Sequence, residues 1–559
     1  MTRFVLLLPV LPLASAVLMC LLTAALGRAV VRIAVAMGTL TLALSGVLLG
    51  LKLAGLETDL ASLGTSWGSL LFDPLGLVMV VLIAIISLVV RVYSVRYMVE
   101  QDGYIRFFVL LDLMVATLLV LVMAGDLITL LVAWHLVGVL LYFLLGHDMR
   151  SPSAHRYGFW TFMTYRLADA PLLVAAVLLF GAYDTWSLPD IYRQVEADPG
   201  GAGTIWGLPL VEVVGGLVAL AAFARSAQFL LHTWLPYSME GPTPVSALMH
   251  AGIVNAGGFL INRFAPIFVH TEAVLNWIFL VGLVTAVTGS LLMLVQNDIK
   301  KQLGYSTMGQ MGFMTMECGL GAFTLAIFHM IAHGFFKGTL FLHSGAVIGE
   351  ARNHDGVPQD AMYTFVIEKQ PQPPRYTWPV MATTIVILPL AVLGLAHWAV
   401  APDVFAKQGA VILLFFGWVT GAQLMFNAHR THTRNTWRLV VIVAASFVLV
   451  VVGYTLISHA FAVFLYPEGF ISRLYEAARI DLTSLVVLSA LLALVASAGW
   501  VSAHRASRHF AADRNAISRW RSSFFATLSR EFYVVDLYDR FGRGLLRLSA
   551  RLNAMLRWG

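Results

Sequence analysis

A chain of 559 residues that is 59% hydrophobic and only 12% charged has too few polar side chains to cover a soluble core. Its apolar runs recur at about the 20 residues a helix needs to cross a bilayer. The formal net charge of +6 comes mostly from an arginine-rich stretch after Arg505, which argues against a nucleic-acid binder. Cys20 and Cys318 fall inside apolar runs, as small hydrophobes and not as a disulfide or metal pair.

The expected fold is therefore an all-α polytopic membrane protein. Spans fall near residues 4–26, 30–54, 72–92, 106–124, 127–146, 157–182, 210–231, 243–264, 273–295, 302–318, 321–347, 377–399, 409–427, 438–458 and 481–501, about fifteen helices in all. The first run contains Pro9 and Pro12, lacks a strong basic start and leads at once into a second span. It is expected to be a mature helix and not a signal peptide. The chain divides into N-terminal transmembrane helices over 1–105, a core carrying a polar track over 106–350, a cytoplasmic loop over 351–376, C-terminal transmembrane helices over 377–501 and a basic amphipathic tail over 502–559.

Placing the amino terminus outside gathers Arg28, Arg32, Arg91, Arg96, Arg106, Arg150, Arg156, Lys300, Lys301, Arg352, Lys369, Arg375, Arg430, Arg434 and Arg438 on one side. The opposite connections hold only Arg193, Arg263, Lys407, Arg473 and Arg479. The basic side is expected to face the cytoplasm, with the amino terminus outside and the carboxyl terminus cytoplasmic. Two connections are long and polar, 183–208 and 349–376, and neither has the size of a folded domain. The stretch "SREFYVVDLYDRFGRGLLRLSARLNAMLRWG" alternates Leu, Phe and Trp with arginines at helical spacing, the pattern of an amphipathic helix lying on membrane lipid or docking a subunit. No Gly-rich phosphate loop of the Walker type and no paired-Cys motif occurs. That removes ATP-driven pumping and iron–sulfur chemistry. The chain reads as a transporter subunit and not an enzyme, with no catalytic residue, metal or cofactor of its own.

An ionisable group at bilayer depth is costly unless paired or wetted, and so marks a functional position. Asp112, His135, Arg166, Asp169, Arg225, His232, Glu240, His250, Glu317, His329, His333 and Lys337 follow one another along successive spans, as a polar track through the membrane would require. In "FHMIAHGFFKGTLFLH", His329, His333 and Lys337 are spaced i, i+4, i+8 and share one helix face. A proton relay needs that arrangement. The same HxxxH spacing suits zinc, but the glutamate of HExxH and a third ligand are missing; a purely structural hydrogen-bonded role is the other alternative. In "HTWLPYSMEGPTPVSALMHAGIV", Pro236, Pro242 and Pro244 mark either a broken membrane helix facing a wet interior or a tight cytoplasmic turn. The break would bring Glu240 to the midplane beside His250. His232, seven residues after Arg225, is expected on the same helix face.

The segments "ARSAQFLLHTWLPYSMEGPTPVSALMHAGIV", "QNDIKKQLGYSTMGQMGFM" and "IFHMIAHGFFKGTLFLHSGAVI" resemble the signature segments of the antiporter-like membrane subunits of respiratory complex I and Mrp-type cation/proton antiporters, from about residue 70 to 350, with a weaker echo in "EFYVVDLYD". The resemblance implies two inverted five-helix repeats with broken helices, and a hydrated track of Lys, His and acidic residues that conducts protons or Na⁺. Where that family has a glutamate on the fifth helix, this chain has His135; where it has a lysine on the broken helix, this chain has Arg225; and the later lysine is replaced by no more than His397. Arginine cannot release a proton at any relevant pH, whereas imidazole titrates near neutrality. Asp169 is then the expected counter-ion for Arg225 or for Arg166 three residues away.

A subunit that keeps the track but loses these residues more closely resembles the stand-alone branch of the family found in DAB-type inorganic carbon accumulation complexes of bacteria. There the resemblance implies a large soluble carbonic-anhydrase-like (DabA-type) partner, with inward flow of protons or Na⁺ coupled to CO₂ hydration. A pumping subunit of a complex I or Mrp-type assembly is the alternative.

Overall fold

The computed structural model describes residues 5–55, 63–65, 68–201, 203–353, 387–400, 408–414, 417–418, 421, 436–480 and 516–556. The expected loop beyond residue 353, most of the span near 409–427 and the span near 481–501 lie outside them. Among the described residues, nine helical stretches are long and apolar enough to cross a membrane, so the expected total of about fifteen is not reached there.

Helices α1 (Leu7–Leu26) and α2 (Val31–Leu53) are joined by one 3₁₀ turn. Helix α3 (Pro74–Tyr97) begins where the Asp73 carboxylate accepts the Gly76 amide at 2.8 Å and Pro74 occupies the first turn, satisfying one orphan donor and wasting none. After α4 (Tyr104–Val122), α5 (Leu127–Leu145) is capped by Asp126, which takes the Thr129 amide at 2.8 Å and the Ser69 amide at 2.6 Å. One carboxylate thus fixes both a helix start and the strand pair Leu63–Thr65 and Gly68–Leu70. Then follow α6 (Pro152–Tyr183), the short α7 (Leu188–Ala197), α8 (Leu210–Arg225), α9 (Trp234–Tyr237), α10 (Thr243–Ala251), α11 (Ala256–Arg263) and α12 (Ala265–Phe268). Three long helices close the core: α13 (Glu272–Leu294), α14 (Ile299–Gly319) and α15 (Phe323–Asn353). Beyond them lie α16 (Leu388–Val400), α17 (Thr436–Leu465), α18 (Phe470–Ala477), α19 (Ala516–Ser529) and α20 (Val534–Leu556).

One continuous apolar core runs through α1 to α15, with Trp134 and Trp234 fully buried. Leu21, Val132, Leu173, Leu280, Phe336 and Leu449 face outward, as they should where the surroundings are hydrocarbon and backbone polar groups are satisfied within helices. Helices α13 and α14 touch backbone to backbone. A Cβ at Gly282, Gly289, Gly312 or Gly319 would collide with the main chain of Met316, Gly309, Ala286 or Phe279 on the facing helix, the close approach that small residues allow in membranes.

The bundle has two polar ends. At one, Arg263 donates to Asp73 at 2.6 Å, the Tyr192 hydroxyl to the Arg263 carbonyl at 2.7 Å, and Glu196 accepts from Arg473 at 2.6 Å. At the other, Tyr97 pairs with Thr243 at 2.9 Å, Arg106 donates to the His147 carbonyl at 2.7 Å and Lys300 to the Met239 carbonyl at 3.3 Å. Two arginines expected in connections are instead internal. Arg91 lies within α3, 1% exposed, donating to Asp112 at 2.7 Å and Ser87 at 2.9 Å. Arg263 ends α11, buried between Asp73 and the Val122 carbonyl. A carboxylate partner explains each, the buried Asp112 for Arg91 and the partly exposed Asp73 for Arg263, because an isolated buried guanidinium would be prohibitively costly.

The tail folds back on the bundle. Between α19 and α20, Glu531, Phe532 and Tyr533 have φ of 54°, 55° and 59°, a left-handed turn made without glycine that costs about 1–2 kcal/mol per residue. Along α20, Leu537, Phe541, Leu545, Leu548 and Leu552 form an exposed apolar face against Arg540, Arg543, Arg547 and Arg551.

Candidate functional site

The expected break at 235–244 is present, begins earlier than the prolines and is followed by a second one. Helix α8, about 24 Å long at 1.5 Å per residue, stops at Arg225. Residues 226–233 are unwound, with Ala227 and Leu230 in the left-handed region (φ 50° and 74°). The freed backbone is satisfied by neighbours: the Phe229 amide donates to Thr285 at 2.9 Å, and the Ser226 hydroxyl reaches the Val254 carbonyl at 2.7 Å. Pro244 sits in the first turn of α10 and Pro242 just before it, so these prolines start a helix. The second interruption is the 3₁₀ turn Ile253–Asn255 between α10 and α11. His232 consequently belongs to the linker and shares no helical face with Arg225, a correction to the sequence expectation. Glu240 is likewise exposed at the bundle end, accepting from Ser153 at 3.1 Å, and not at the midplane beside His250.

The first part of the track forms around Asp169 on α6. Its carboxylate lies 2.9 Å from His135 Nδ1, 3.0 Å from Arg166 and 3.7 Å from Arg225. Arg225 is fully buried, donates to the Trp134 carbonyl, and holds its guanidinium 4.2 Å and 4.1 Å from the Trp134 and Tyr165 ring centroids. Carbonyl, carboxylate and two aromatic faces are what a planar guanidinium uses and an ammonium cannot match. His135 lies toward the outside of the bundle, its side chain 51% exposed, in contact with Arg166.

The second part lies on α15. His329 Nδ1 meets Glu317 at 3.0 Å and its Nε2 meets Gln310 at 2.8 Å. One turn on, His333 is buried and neither ring nitrogen has a protein partner. Another turn on, Lys337 is 1% exposed and donates to Ser306 at 2.7 Å and the Leu303 carbonyl at 3.4 Å; no carboxylate pairs with it among the described residues. His250 enters from α10, stacked on Phe341 with centroids 4.2 Å apart, both nitrogens also unpartnered. His250, His329 and Lys337 are all electrostatic neighbours of His333. His232 is buried behind them against Phe229 and Tyr305, again with two unpartnered nitrogens. Buried imidazole nitrogens without protein partners are positions that water satisfies. Among the described residues no group of three or more His, Cys, Asp or Glu could hold a metal ion.

Sequence reasoning named these cations and imidazoles but missed Gln310 and Ser306 as their partners. Neutral residues in "QLGYSTMGQMG" carry no burial cost large enough to draw attention. Glu317 stood out as an intramembrane charge, and only the facing of α14 and α15 shows that it serves His329.

A many-spanning helical bundle with an interrupted helix beside a buried file of Lys, His and acidic groups defines an antiporter-like, ion-conducting membrane subunit. Residues 124–420 match the family described as NADH:quinone oxidoreductase/Mrp antiporter, TM, and residues 60–108 the family described as NADH-Ubiquinone oxidoreductase (complex I), chain 5 N-terminus. The chain belongs to this family. It is 55% identical over 557 residues, 99% of both chains, to the probable inorganic carbon transporter subunit DabB1 of Halothiobacillus neapolitanus. It is 35% identical over 370 residues to NAD(P)H-quinone oxidoreductase chain 5 of Synechocystis, covering 64% of this chain and about half (53%) of that relative. Among solved structures it shares the fold of a chain of the Mrp complex from Dietzia (TM-score 0.59, 24% identity, 99% of this chain and 60% of that one). It likewise shares the fold of a chain of an archaeal membrane-bound sulfane sulfur reductase (TM-score 0.60, 16% identity, 84% and 99%).

Proposed function

We propose that this chain is the cation-conducting membrane subunit, for protons or Na⁺, of an energy-coupled inorganic carbon uptake complex in a bacterial inner membrane. The observation that carries the conduction is Lys337: a buried ammonium with only neutral oxygen partners, flanked by imidazoles whose nitrogens no protein group occupies. A fixed structural cation would be expected to have a carboxylate, as Arg91 and Arg263 do. Identity along the full length to a protein named as an inorganic carbon transporter subunit supports the choice of cargo.

In this reading residues 106–350 form the conducting core, with Asp169, Arg166, His135 and Arg225 as its first group and His250, His329, His333 and Lys337 as its second. The amino terminus is periplasmic and the carboxyl terminus cytoplasmic. The chemistry belongs to a DabA-type, carbonic-anhydrase-like partner that hydrates CO₂ as the cation falls inward. Each charge moved supplies about 2.3 kcal/mol per 100 mV, roughly a fifty-fold bias on the coupled hydration.

The test is purification of the tagged chain in mild detergent with identification of what accompanies it, followed by cation flux of the complex in proteoliposomes. A carbonic-anhydrase-like partner is expected; quinone or NADH oxidoreductase subunits would instead favour a complex I assembly. Lys337→Ala is expected to abolish flux with assembly intact. Lys337→Arg should also fail, because it keeps the charge and cannot release the proton. Full flux through the arginine variant would reduce Lys337 to a fixed charge.

A further inference from the structure

The left-handed turn of the tail places a carboxylate where nothing in the core requires one. Glu531 is 5% exposed. One oxygen accepts from the Tyr237 hydroxyl at 3.1 Å, and the other has no partner. Tyr305, whose own hydroxyl is unpartnered, is its electrostatic neighbour. No lysine or arginine pairs with it among the described residues. The surrounding titratable and charged groups are Tyr157 stacked on Tyr237, Lys301 with its ammonium 5.0 Å from the Tyr237 ring centroid, Asp536 from the next turn of the tail, and His232 beside Tyr305.

The turn is anchored on the unwound linker. The Phe532 ring packs edge-on against Phe229 with centroids 6.2 Å apart, and Tyr538 of α20 donates to the Leu230 carbonyl and meets the Trp160 ring edge-on. Tyr305 is followed in α14 by Ser306, which holds Lys337 at 2.7 Å. One helical turn, Leu303–Ser306, therefore faces Lys337 with its Leu303 carbonyl and Ser306 hydroxyl and faces Glu531 with its Tyr305 phenol.

Resting on the conduction reading above, we propose that Glu531 is the terminal cation station of the track. It accepts the proton, or ligates the Na⁺, that passes between Lys337 and the aqueous side, and returns to a free carboxylate when the cation leaves. The station is carried by the tail and not by the transmembrane core, so whatever holds α20 in place also holds the end of the path.

Proteoliposomes with the assembled complex test this beside wild type and Lys337→Ala. If wild type conducts and Lys337→Ala does not, Glu531→Gln is expected to lower flux at least tenfold, and Glu531→Asp, which keeps the carboxylate, to recover most of it. Glu531→Gln conducting like wild type, or Asp failing as fully as Gln with both assembled, overturns the proposal and leaves conduction through Lys337 intact. No flux through wild type defeats the conduction reading instead. Should the Gln variant fail to assemble, a hydrophobic carbodiimide applied to the wild-type complex gives the answer by peptide mass. Modification of Glu531 in step with loss of flux supports the station; Glu531 left unmodified, or modified without loss of flux, overturns it.

Discussion

Among single residues, the buried charges sort by their partners. Arg91 and Asp112 close on each other at 2.7 Å, 1% and 0% exposed, and Gly38 presses against the same guanidinium. Asp112→Asn would leave that guanidinium buried and uncompensated, a loss expected at about 3–5 kcal/mol. It should read as a clearly lowered Tm in detergent, and the double replacement Arg91→Met with Asp112→Leu should recover much of it; an unchanged Tm for Asp112→Asn would mean that the pair contributes little. Asp112 was legible in the sequence as a charge in an apolar run. Its partner was not, because Arg91 sits near the end of its run and a long side chain there is equally suited to snorkelling toward water.

Between elements, the clearest electrostatic tie lies outside the membrane. Glu196 on α7 accepts two hydrogen bonds from Arg473 on α18, at 2.6 Å and 3.1 Å, and a third contact from His270 at 3.3 Å. The Arg473 guanidinium hydrogen-bonded to it holds its carboxyl below the usual carboxylate range. The folded state thus releases this proton more readily than the unfolded chain. The stabilisation is fully present above the unfolded value near about 4.3 and is lost as pH falls through the lower folded value. Because the pair is half exposed, the effect is small and salt-sensitive. The Tm difference between wild type and Glu196→Gln is expected to be constant at neutral pH and to shrink below about pH 4; a difference that grows on acidification would contradict the tie. Spans were legible from hydropathy alone: α1 to α6 and α13 to α15 overlap their expected places, whereas α7 lies in the expected polar connection 183–208, α8 stops at Arg225, and α10 and α11 divide the one span expected at 243–264. The extent of the break was not. Pro244 lies at the start of a helix, as the span expected from 243 has it, but the unwound stretch 226–233 that precedes the prolines contains neither proline nor glycine; its main chain is held by Thr285 and by contacts distant in sequence.

For the whole molecule, the basic connections and the tail are expected on one side of the membrane. A reporter fused after Gly559 should read as cytoplasmic and one inserted near Gly201 as periplasmic; the reverse pair would invert the proposed direction of cation flow. What the fold allows to move is narrower than its size suggests. Helices α13 and α14 meet main chain to main chain through glycines, and α14 carries Ser306, Gln310 and Glu317, which hold Lys337 and His329. Two rods in such contact have no layer of pliable side chains over which to slide, since packed interiors resist deformation. Shear between them is thereby resisted. In the conduction reading proposed above, passage by Lys337 would turn on rearrangement of side chains and water around it and not on sliding of this helix pair.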